Sequence, residues 1–221
     1  LVITYPNNTS ITVDWDMNAA AHNDWMSGSH KPTAAVSWAH QDDDEFYDTN
    51  IIDDVYTWTK LIADDLGCDQ AECTLHMNST TWRYVRRNKW LRLESSPGLP
   101  QPRSAPVTVG EAADILDVAG VKIVNAYYLD DDLSRTKNYF LPDNYLLITG
   151  PYVWNGTPLA EMYDGLVARV RGGQIVIERN SGLIAETYIN EEQVAENMRV
   201  QSARMPVVNY PQGFVYADLI P

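Results

Sequence analysis

One stretch of the sequence predicts a long amphipathic helix, and it constrains the fold more than any other feature. Apolar side chains recur there at helical spacing: Ile51, Ile52, Val55, Trp58, Leu61, Ile62 and Leu66. Gly67 is a typical helix stop, and the acidic run at 42–45 places negative charge where a helix N-terminus favours it. The pattern therefore predicts a helix from Asp42 to Leu66, about 37 Å long at about 1.5 Å per residue. Its acidic polar face indicates a solvated surface.

A second helix is predicted from about Ser79, and its outer face is basic. It carries five cations, with no acid between Trp82 and Leu93: Arg83, Arg86, Arg87, Lys89 and Arg92. Trp82, Val85 and Leu93 are predicted to form its buried side. Contact with nucleic acid is one interpretation, because aromatic residues are interleaved with the cations. The net charge of the chain is −14, from 16 basic and 30 acidic side chains, so pairing with acidic surfaces of this subunit or a neighbour is favoured.

The remaining patterns predict an α+β protein with long irregular connections. Thr108 and Glu111 form a capping box before a helix that runs to Gly120. Gly172-Gly173 indicates a hairpin between 166–170 and 174–178. In residues 16–41 the apolar side chains follow neither helical nor strand spacing, so this segment is predicted to be irregular. Four prolines between 97 and 106 indicate a loop. Further strands are predicted at 1–5, 11–15, 72–77, 121–128, 145–149, 184–190, 199–208 and 214–219.

Composition and length narrow the class of protein. The chain has 221 residues, 45% of them hydrophobic and 21% charged, so it is predicted to fold around a substantial core. No apolar run approaches the roughly 18 residues that a membrane-spanning helix needs, which argues against an integral membrane protein. The sequence opens without an initiator Met, and no signal peptide is visible. We therefore expect a processed chain or a fragment.

Groups of potential metal ligands do not have the spacing of known sites. His22, His30 and His40 lie in a predicted loop with several acids (Asp14, Asp16 and Asp24), but the spacings match no ligand motif. An EF-hand loop counted from Asp130 would have Arg135 in place of the required glycine and Leu141 in place of the bidentate glutamate. The acidic runs at 42–44 and 130–132 are therefore predicted to be surface acids.

Cysteine chemistry and catalytic motifs are equally sparse. Cys68, Cys73 and His76 are spaced Cys-x4-Cys-x2-His, which lacks a fourth zinc ligand; two free thiols are favoured over a local disulfide. A nucleophile elbow, a P-loop and a dinucleotide fingerprint are all absent from the sequence. We predict no catalytic residue, no metal and no cofactor.

Several phrases of the sequence follow one another in a characteristic order. They are the helix end Trp58–Gly67, the strand-to-helix segment Thr74–Trp82, the segment Phe140–Ile148, and the ending Met205–Pro211 before Phe214–Ala217. This order resembles the major capsid proteins of tailed phages, in the branch called major capsid protein E, which has the Hong Kong 97-type fold. The resemblance covers most of the chain from about residue 40 onward.

The resemblance implies a division into domains. A peripheral domain would comprise 1–66 with a long spine helix at 42–66, and an axial domain at 67–164 would gather around five-fold and six-fold axes. Peripheral β elements would follow at 165–200, and the terminal strand within 201–221 would return to the axial domain. The family also carries an N-terminal arm and an extended loop before the spine helix, so a longer precursor is expected.

The function implied by the resemblance is structural and not enzymatic. The subunit would self-assemble as pentamers and hexamers into an icosahedral shell that encloses double-stranded phage DNA without binding it specifically. A portal, and decoration or scaffolding proteins, are the expected partners; the location is the virion, assembled in the cytoplasm of the bacterial host. Clustered charges of both signs can fix the register between subunits. The predicted contact residues are Arg83, Arg86, Arg87, Lys89, Asp53 and Asp54.

The alternative function is an extracellular glycan-binding or glycan-hydrolysing domain. It rests on the abundance of Trp, Tyr and Asp, which stack on sugars and hydrogen-bond to them. Asp14 with Asp16 is one of many acid pairs that such a hydrolase could use. This alternative predicts aromatic side chains along one groove beside a pair of carboxylates.

Overall fold

The structure is a computed structural model that describes residues 2–4, 10–12, 28–40, 47, 49–96, 105–129, 135–164, 166–171, 174–179, 184–190, 195–201 and 204–220. The chain divides into two compact units: Leu1–Trp154 with Tyr210–Pro221, and Asn155–Asn209. The second unit is thus inserted between two parts of the first. The division into peripheral and axial domains stays a prediction.

Helices and strands alternate in the first unit, which makes the chain a mixed α+β protein. The helices are α1 (Ile51–Leu66), α2 (Ser79–Arg86), α3 (Lys89–Glu94) and α4 (Val109–Ile115). The strands, numbered along the whole chain, are β1 (Val2–Thr4), β2 (Ser10–Thr12), β3 (Thr74–Met77), β4 (Gly120–Ile123), β5 (Tyr127–Leu129), β6 (Lys137–Tyr139), β7 (Tyr145–Thr149), β8 (Val153–Trp154), β9 (Thr157–Pro158), β10 (Ala160–Asp164), β11 (Leu166–Arg171), β12 (Gln174–Arg179), β13 (Ile184–Asn190), β14 (Ala195–Gln201), β15 (Arg204–Val208) and β16 (Phe214–Asp218).

Helix α1 is shorter than the sequence pattern predicts. It begins at Ile51 and not at Asp42, because the preceding backbone is used in a tertiary contact: Tyr47 forms a parallel bridge with Asn88 and accepts a hydrogen bond from the Lys89 N–H at 2.7 Å. Charge near an N-terminus favours a helix but does not start one. Residues 42–45 lie outside the described part of the chain. The predicted end is confirmed, since Gly67 has φ 72° and donates to the Ala63 carbonyl at 2.7 Å.

The core of the first unit lies against a four-stranded sheet in the order β16, β7, β3, β4. Strand β7 is antiparallel to both β16 and β3, whereas β3 is parallel to β4. Alternate residues on one face are fully buried, as the two-residue period of a strand requires: Leu75, Met77, Leu146, Ile148, Val215 and Ala217. Helix α1 packs on β7 and β16 and buries Ile51, Val55, Trp58, Thr59, Ile62 and Leu66. Five of the seven apolar residues in the predicted stripe thus lie on the core face of α1, whereas Ile52 and Leu61 are half-buried.

Residues 28–40 hold the outer edge of β16, although the sequence reads as irregular there. Asp218 donates to the Pro32 carbonyl at 3.0 Å and accepts from the Ala34 N–H at 2.8 Å. Trp38 is 1% exposed, and its ring stacks on Trp58 with centroids 5.8 Å apart; the backbone N–H of Trp38 donates to the Leu219 carbonyl at 3.0 Å. This segment closes the sheet edge that would otherwise present unpaired backbone groups.

The predicted basic helix is in fact two short helices, α2 and α3. The chain breaks at Asn88, whose side chain accepts hydrogen bonds from the first turn of α3 and donates to the Thr49 carbonyl at 2.8 Å. Asparagine is a favoured N-cap, so this residue starts a new helix instead of continuing the old one. Trp82 and Val85 are buried as predicted, but after the break Leu91 is buried and Leu93 is only half-buried.

The predicted strand at 121–128 is also two strands in different sheets. Strand β4 joins the central sheet, while β5 pairs with β6 in a separate hairpin. Between them, the Asn125 side chain accepts a hydrogen bond from the Ser79 N–H at 3.0 Å, at the start of α2. The predicted capping box of α4 is confirmed, since Thr108 and Glu111 exchange the reciprocal hydrogen bonds that define it.

Gly150 lies where a side chain would strike α1, which gives a stability prediction. A Cβ at this position would be 3.1 Å from Ile62 Cγ2 and from Leu66 Cδ1. We expect Gly150→Ala to destabilise the protein by about 1–3 kcal/mol in urea denaturation, because the buried side chains of Ile62 and Leu66 would have to move to make room for the methyl group.

Gly110 is the matched control. It lies in the first turn of α4, and a Cβ there would meet no atom within 4 Å. Gly110→Ala is expected to stabilise by about 0.4–1 kcal/mol through the unfolded state. Equal free energies of unfolding for the two variants would contradict the packing inferred at Gly150.

The second unit consists of antiparallel strands. Its pairs are β10 with β15, β11 with β12, and β13 with β14. The predicted hairpin β11–β12 is confirmed, although Gly172-Gly173 itself lies outside the described residues. The predicted strand at 199–208 is divided between the end of β14 and β15. Across the described ranges of the whole chain, no helix is both long and apolar enough to cross a bilayer.

Candidate assembly surfaces

Two arginines of α2, together with Arg87 at its C-cap, border an open groove, which we call the arginine groove. It is lined by Ser79, Trp82, Arg83, Arg86, Arg87 and Pro106. Residues three and four apart share one face of a helix, which places Arg83 beside Arg86 and Arg87. The Val107 N–H donates to the Arg86 carbonyl at 3.0 Å and so brings the 105–108 segment along the helix. The Trp82 ring is 7% exposed and forms an apolar wall.

The arginine groove is cationic and uncompensated within the described part of the chain. Arg83 and Arg86 are exposed, and Arg87 is half-buried. Within the described ranges, no carboxylate forms a salt bridge with any of these three guanidinium groups. Lys89 belongs to the next helix and does not line the groove. The structure therefore brings together three of the four predicted basic contact residues.

The two predicted acidic contact residues lie in the first turn of α1 and differ in environment. Asp53 is exposed and accepts a hydrogen bond from the Asn50 side chain at 2.6 Å. Asp54 is half-buried, and its Oδ2 accepts a hydrogen bond from Trp38 Nε1 at 2.8 Å. Burial raises the pKa of the Asp54 carboxyl, the Trp38 hydrogen bond opposes that rise, and the neighbouring charge of Asp53 adds to it. Asp54 is thus held at the edge of the core by its hydrogen bond to Trp38, while Asp53 faces solvent.

The hairpin β5–β6 exposes aromatic side chains; we call residues 127–129 and 137–140 the aromatic hairpin. Five large side chains retain 44% to 67% of their surface: Tyr127, Tyr128, Leu129, Tyr139 and Phe140. The ring centroids of Tyr127 and Tyr139 are 6.2 Å apart, and those of Tyr128 and Phe140 are 5.3 Å apart. A two-stranded hairpin is marginally stable alone in water, and contiguous exposed apolar surface marks interaction sites.

Sequence reasoning missed the aromatic hairpin because it placed Tyr127-Tyr128 at the end of a longer strand. The available signal was a pair of aromatic dipeptides, Tyr127-Tyr128 and Tyr139-Phe140, on either side of a polar segment. A shallow depression lies beside the hairpin, and the one carboxylate among its described lining residues is that of Asp143, which hydrogen-bonds to the Asn78 side chain. Among the described lining residues, the depression therefore shows no second carboxylate of the kind that glycoside hydrolysis uses.

Comparison with known proteins identifies solved structures of the same fold. A phage-related protein from Bordetella bronchiseptica RB50 superposes with a TM-score of 0.56 at 12% sequence identity, covering 89% of this chain and 58% of that one. The "putative capsid protein of prophage" of Escherichia coli CFT073 gives a TM-score of 0.53 at 19% identity, covering 89% of this chain and 54% of that one. The chain has a phage capsid-like fold. It spans a little over half the length of each of these two proteins.

Sequence searches add no relative to this capsid-like fold. No protein-family model and no curated protein matches the sequence. At 12% and 19% identity, the two structural neighbours show a shared fold and nothing further about this chain.

Of the histidines considered as metal ligands, the structure describes His30 and His40 and places neither in a group of metal ligands among the described residues. His30 is 1% exposed; its Nδ1 lies 2.8 Å from the Phe214 carbonyl, and its Nε2 lies 2.8 Å from Asp65 Oδ2. It therefore joins α1 to β16 as a core histidine. His40 is exposed, and Asp14, Asp16, His22, Asp24 and the run 130–132 lie outside the described residues. Within the described ranges, no group of three or more His, Cys, Asp or Glu side chains is placed to hold a metal ion.

The two cysteines are free thiols that contact each other through a hydrogen bond. Burial raises the pKa of Cys73 to about 12, with further increases from Cys68, Glu72 and Asp69. Burial, followed by the charge of Glu72, also raises the pKa of the half-buried Cys68. His76 lies on β3, and its Nε2 hydrogen-bonds to Thr149 Oγ1 at 3.1 Å; burial and then the Lys122 charge lower its pKa.

These raised thiol pKa values predict low reactivity in the folded protein. The thiolate is the species that reacts with iodoacetamide. We expect Cys73 to be unlabelled at pH 8 in the native protein and both cysteines to be labelled in urea, as measured by mass spectrometry. Cys68→Ser serves as the control that assigns the native labelling. Rapid labelling of Cys73 without denaturant would contradict the burial seen here.

Proposed function

We propose that this chain is the major capsid subunit of a tailed phage, with a Hong Kong 97-type architecture in which α1 is the spine helix. The observation that carries the proposal is the fold shared, over 89% of the chain, with a phage-related protein and a prophage capsid protein. The order of sequence segments from Trp58 to Ala217 supports the same family on separate grounds. Its role is structural, without catalysis.

The surfaces of the subunit support this role physically. A shell subunit associates with copies of itself through several different patches, which are costly to expose in a protein that works alone. The aromatic hairpin offers apolar area to a neighbour, and the arginine groove offers unpaired positive charge. In the proposal, these patches join subunits into the pentamers and hexamers of an icosahedral shell.

The negative net charge of the subunit is compatible with enclosing DNA. At −14, the subunit repels the phosphates of packaged double-stranded DNA, so the DNA is held without specific binding. The proposed partners beyond the subunit itself are a portal, and decoration or scaffolding proteins. The proposed location is the virion, after assembly in the cytoplasm of the bacterial host. The proposed domain division assigns 1–66 and 165–200 to the peripheral domain, and 67–164 with the terminal strand to the axial domain.

Purified protein tests the proposal directly. We expect size-exclusion chromatography with light scattering to detect multimers far above the 24.9 kDa of one chain, and negative-stain microscopy to show rings or shells. Scaffolding or portal proteins are not added, so the measurement concerns this chain alone. A stable monomer at all protein concentrations would contradict the proposal. A monomer that binds oligosaccharides would instead favour the alternative of a glycan-binding domain.

A further inference from the structure

We propose that the arginine groove receives the first turn of helix α1, at Asp53, from a second copy of this chain. This inference rests on the proposed function, because it names one of the contacts between subunits. It reduces the six predicted contact residues to four: Arg83, Arg86, Arg87 and Asp53.

The groove has the donors that a carboxylate needs. Each guanidinium carries N–H donors in a planar fork that matches the two oxygens of a carboxylate. Arg83, Arg86 and Arg87 lie within little more than one helical turn, so in the isolated subunit their like charges repel one another. A bound anion removes that repulsion and forms charge-assisted hydrogen bonds. The buried ring of Trp82 provides a wall of low dielectric, which strengthens the field within the groove.

Asp53 is the acidic residue of α1 best placed to enter a neighbour's groove. It is exposed, and the Asn50 amide occupies one position on Oδ2, so the carboxylate retains lone pairs for further donors. Asp54 and Asp65 are engaged within the subunit by Trp38 and His30. Asp64 is also exposed, but it lies at the opposite end of the helix and serves as a control.

The charge balance of the chain favours a protein partner over nucleic acid. A chain of net charge −14 repels a polyanion at a distance, whereas one acidic turn on a neighbour needs only the local field of the groove. Within the described part of one chain, the arginine groove and Asp53 form no ion pair with each other. Two different patches that complement each other join subunits head to tail, and such a contact forms a ring when the rotation between neighbouring subunits closes.

A charge-swap experiment tests this contact. We expect Arg83→Glu with Arg86→Glu to raise the protein concentration needed for assembly by about tenfold or more, because attraction becomes repulsion. Adding Asp53→Arg to the same chain is expected to restore assembly, while adding Asp64→Arg is not. Urea midpoints close to that of the wild type establish that all three variants fold.

The outcomes separate this inference from the proposed function. If the wild type forms no multimers, the proposed function fails. If the wild type and the Arg83→Glu, Arg86→Glu variant assemble equally, the groove inference alone is overturned. If Asp64→Arg restores assembly as well as Asp53→Arg does, the groove is an assembly site but its partner is not Asp53. Salt-dependent binding of short duplex DNA by the wild type, lost in the glutamate variant, would replace the protein partner by nucleic acid.

Discussion

Trp38→Ala is expected to destabilise the protein by about 3–5 kcal/mol, the range for removing a fully buried large aromatic side chain. The Trp38 ring is 1% exposed, it stacks on Trp58, and its Nε1 donates to Asp54 at 2.8 Å. Its removal would leave a cavity beside α1 and a half-buried carboxylate without its donor. Urea denaturation followed by near-ultraviolet circular dichroism measures the change. A loss below about 1 kcal/mol would contradict the packing described here.

The hydrogen bond from Trp38 can be separated from its packing by a pH comparison. Trp38→Phe keeps an aromatic ring and removes the donor, which is expected to cost about 1–2 kcal/mol at pH 7. Because burial raises the pKa of Asp54 in the folded state, its carboxylate destabilises the fold above that pKa, and protonation at lower pH relieves this. The loss in free energy of unfolding caused by Trp38→Phe, relative to the wild type, should therefore become smaller as the pH is lowered towards 4. When Asp54→Asn is also present, the loss in free energy of unfolding caused by Trp38→Phe should not change with pH.

Tyr128→Ser with Phe140→Ser is expected to prevent assembly at ordinary protein concentrations while leaving the subunit folded. The exposed parts of two such rings amount to roughly 100 Å² each. Covering that area in a contact contributes about 5 kcal/mol at about 25 cal/mol per Å². Even with part of this offset by the cost of association, the concentration needed for assembly should rise at least about a hundredfold. Light scattering across a dilution series measures it.

The control for the hairpin variant replaces exposed aromatics elsewhere in the first unit. Tyr56 on α1 and Tyr152 before β8 are 58% and 79% exposed, so Tyr56→Ser with Tyr152→Ser removes comparable apolar surface. We expect this control to assemble like the wild type. Equal losses in both double variants would show that the aromatic hairpin has no special part in assembly.

Local signals in the sequence predicted the elements that depend on local chemistry. The core face and the end of α1, the capping box at Thr108 and Glu111, and the hairpin β11–β12 each follow from periodicity, caps or turn residues within a few positions. The start of α1 could not be read in this way, since it depends on the pairing of Tyr47 with Asn88. The capping by Asn88 that divides α2 from α3 was visible in principle, as an N-cap residue inside a helical pattern.

Long-range contacts explain the remaining differences between sequence and structure. His30 reaches the carbonyl of Phe214, and Trp38 reaches Asp54 and Leu219, so their core roles depend on residues distant in the chain. The sheet order β16, β7, β3, β4 likewise joins segments far apart in sequence. Clustered charge in the sequence indicated that the three arginines lie together, and their role as contact residues stays a prediction; the sequence could not show that Asp54 is engaged by Trp38.

The position of β16 has a consequence for synthesis of the protein. This strand lies between β7 and the segment at 32–34, so the first unit needs residues near both ends of the sequence to complete its sheet. A ribosome must translate past Asp218 before the strand can be inserted, after the hairpins of the second unit have already emerged. Chains whose translation stops before Phe214 lack this strand and leave one edge of β7 without its backbone hydrogen-bond partner, which exposes them to edge-to-edge aggregation and to protein quality control.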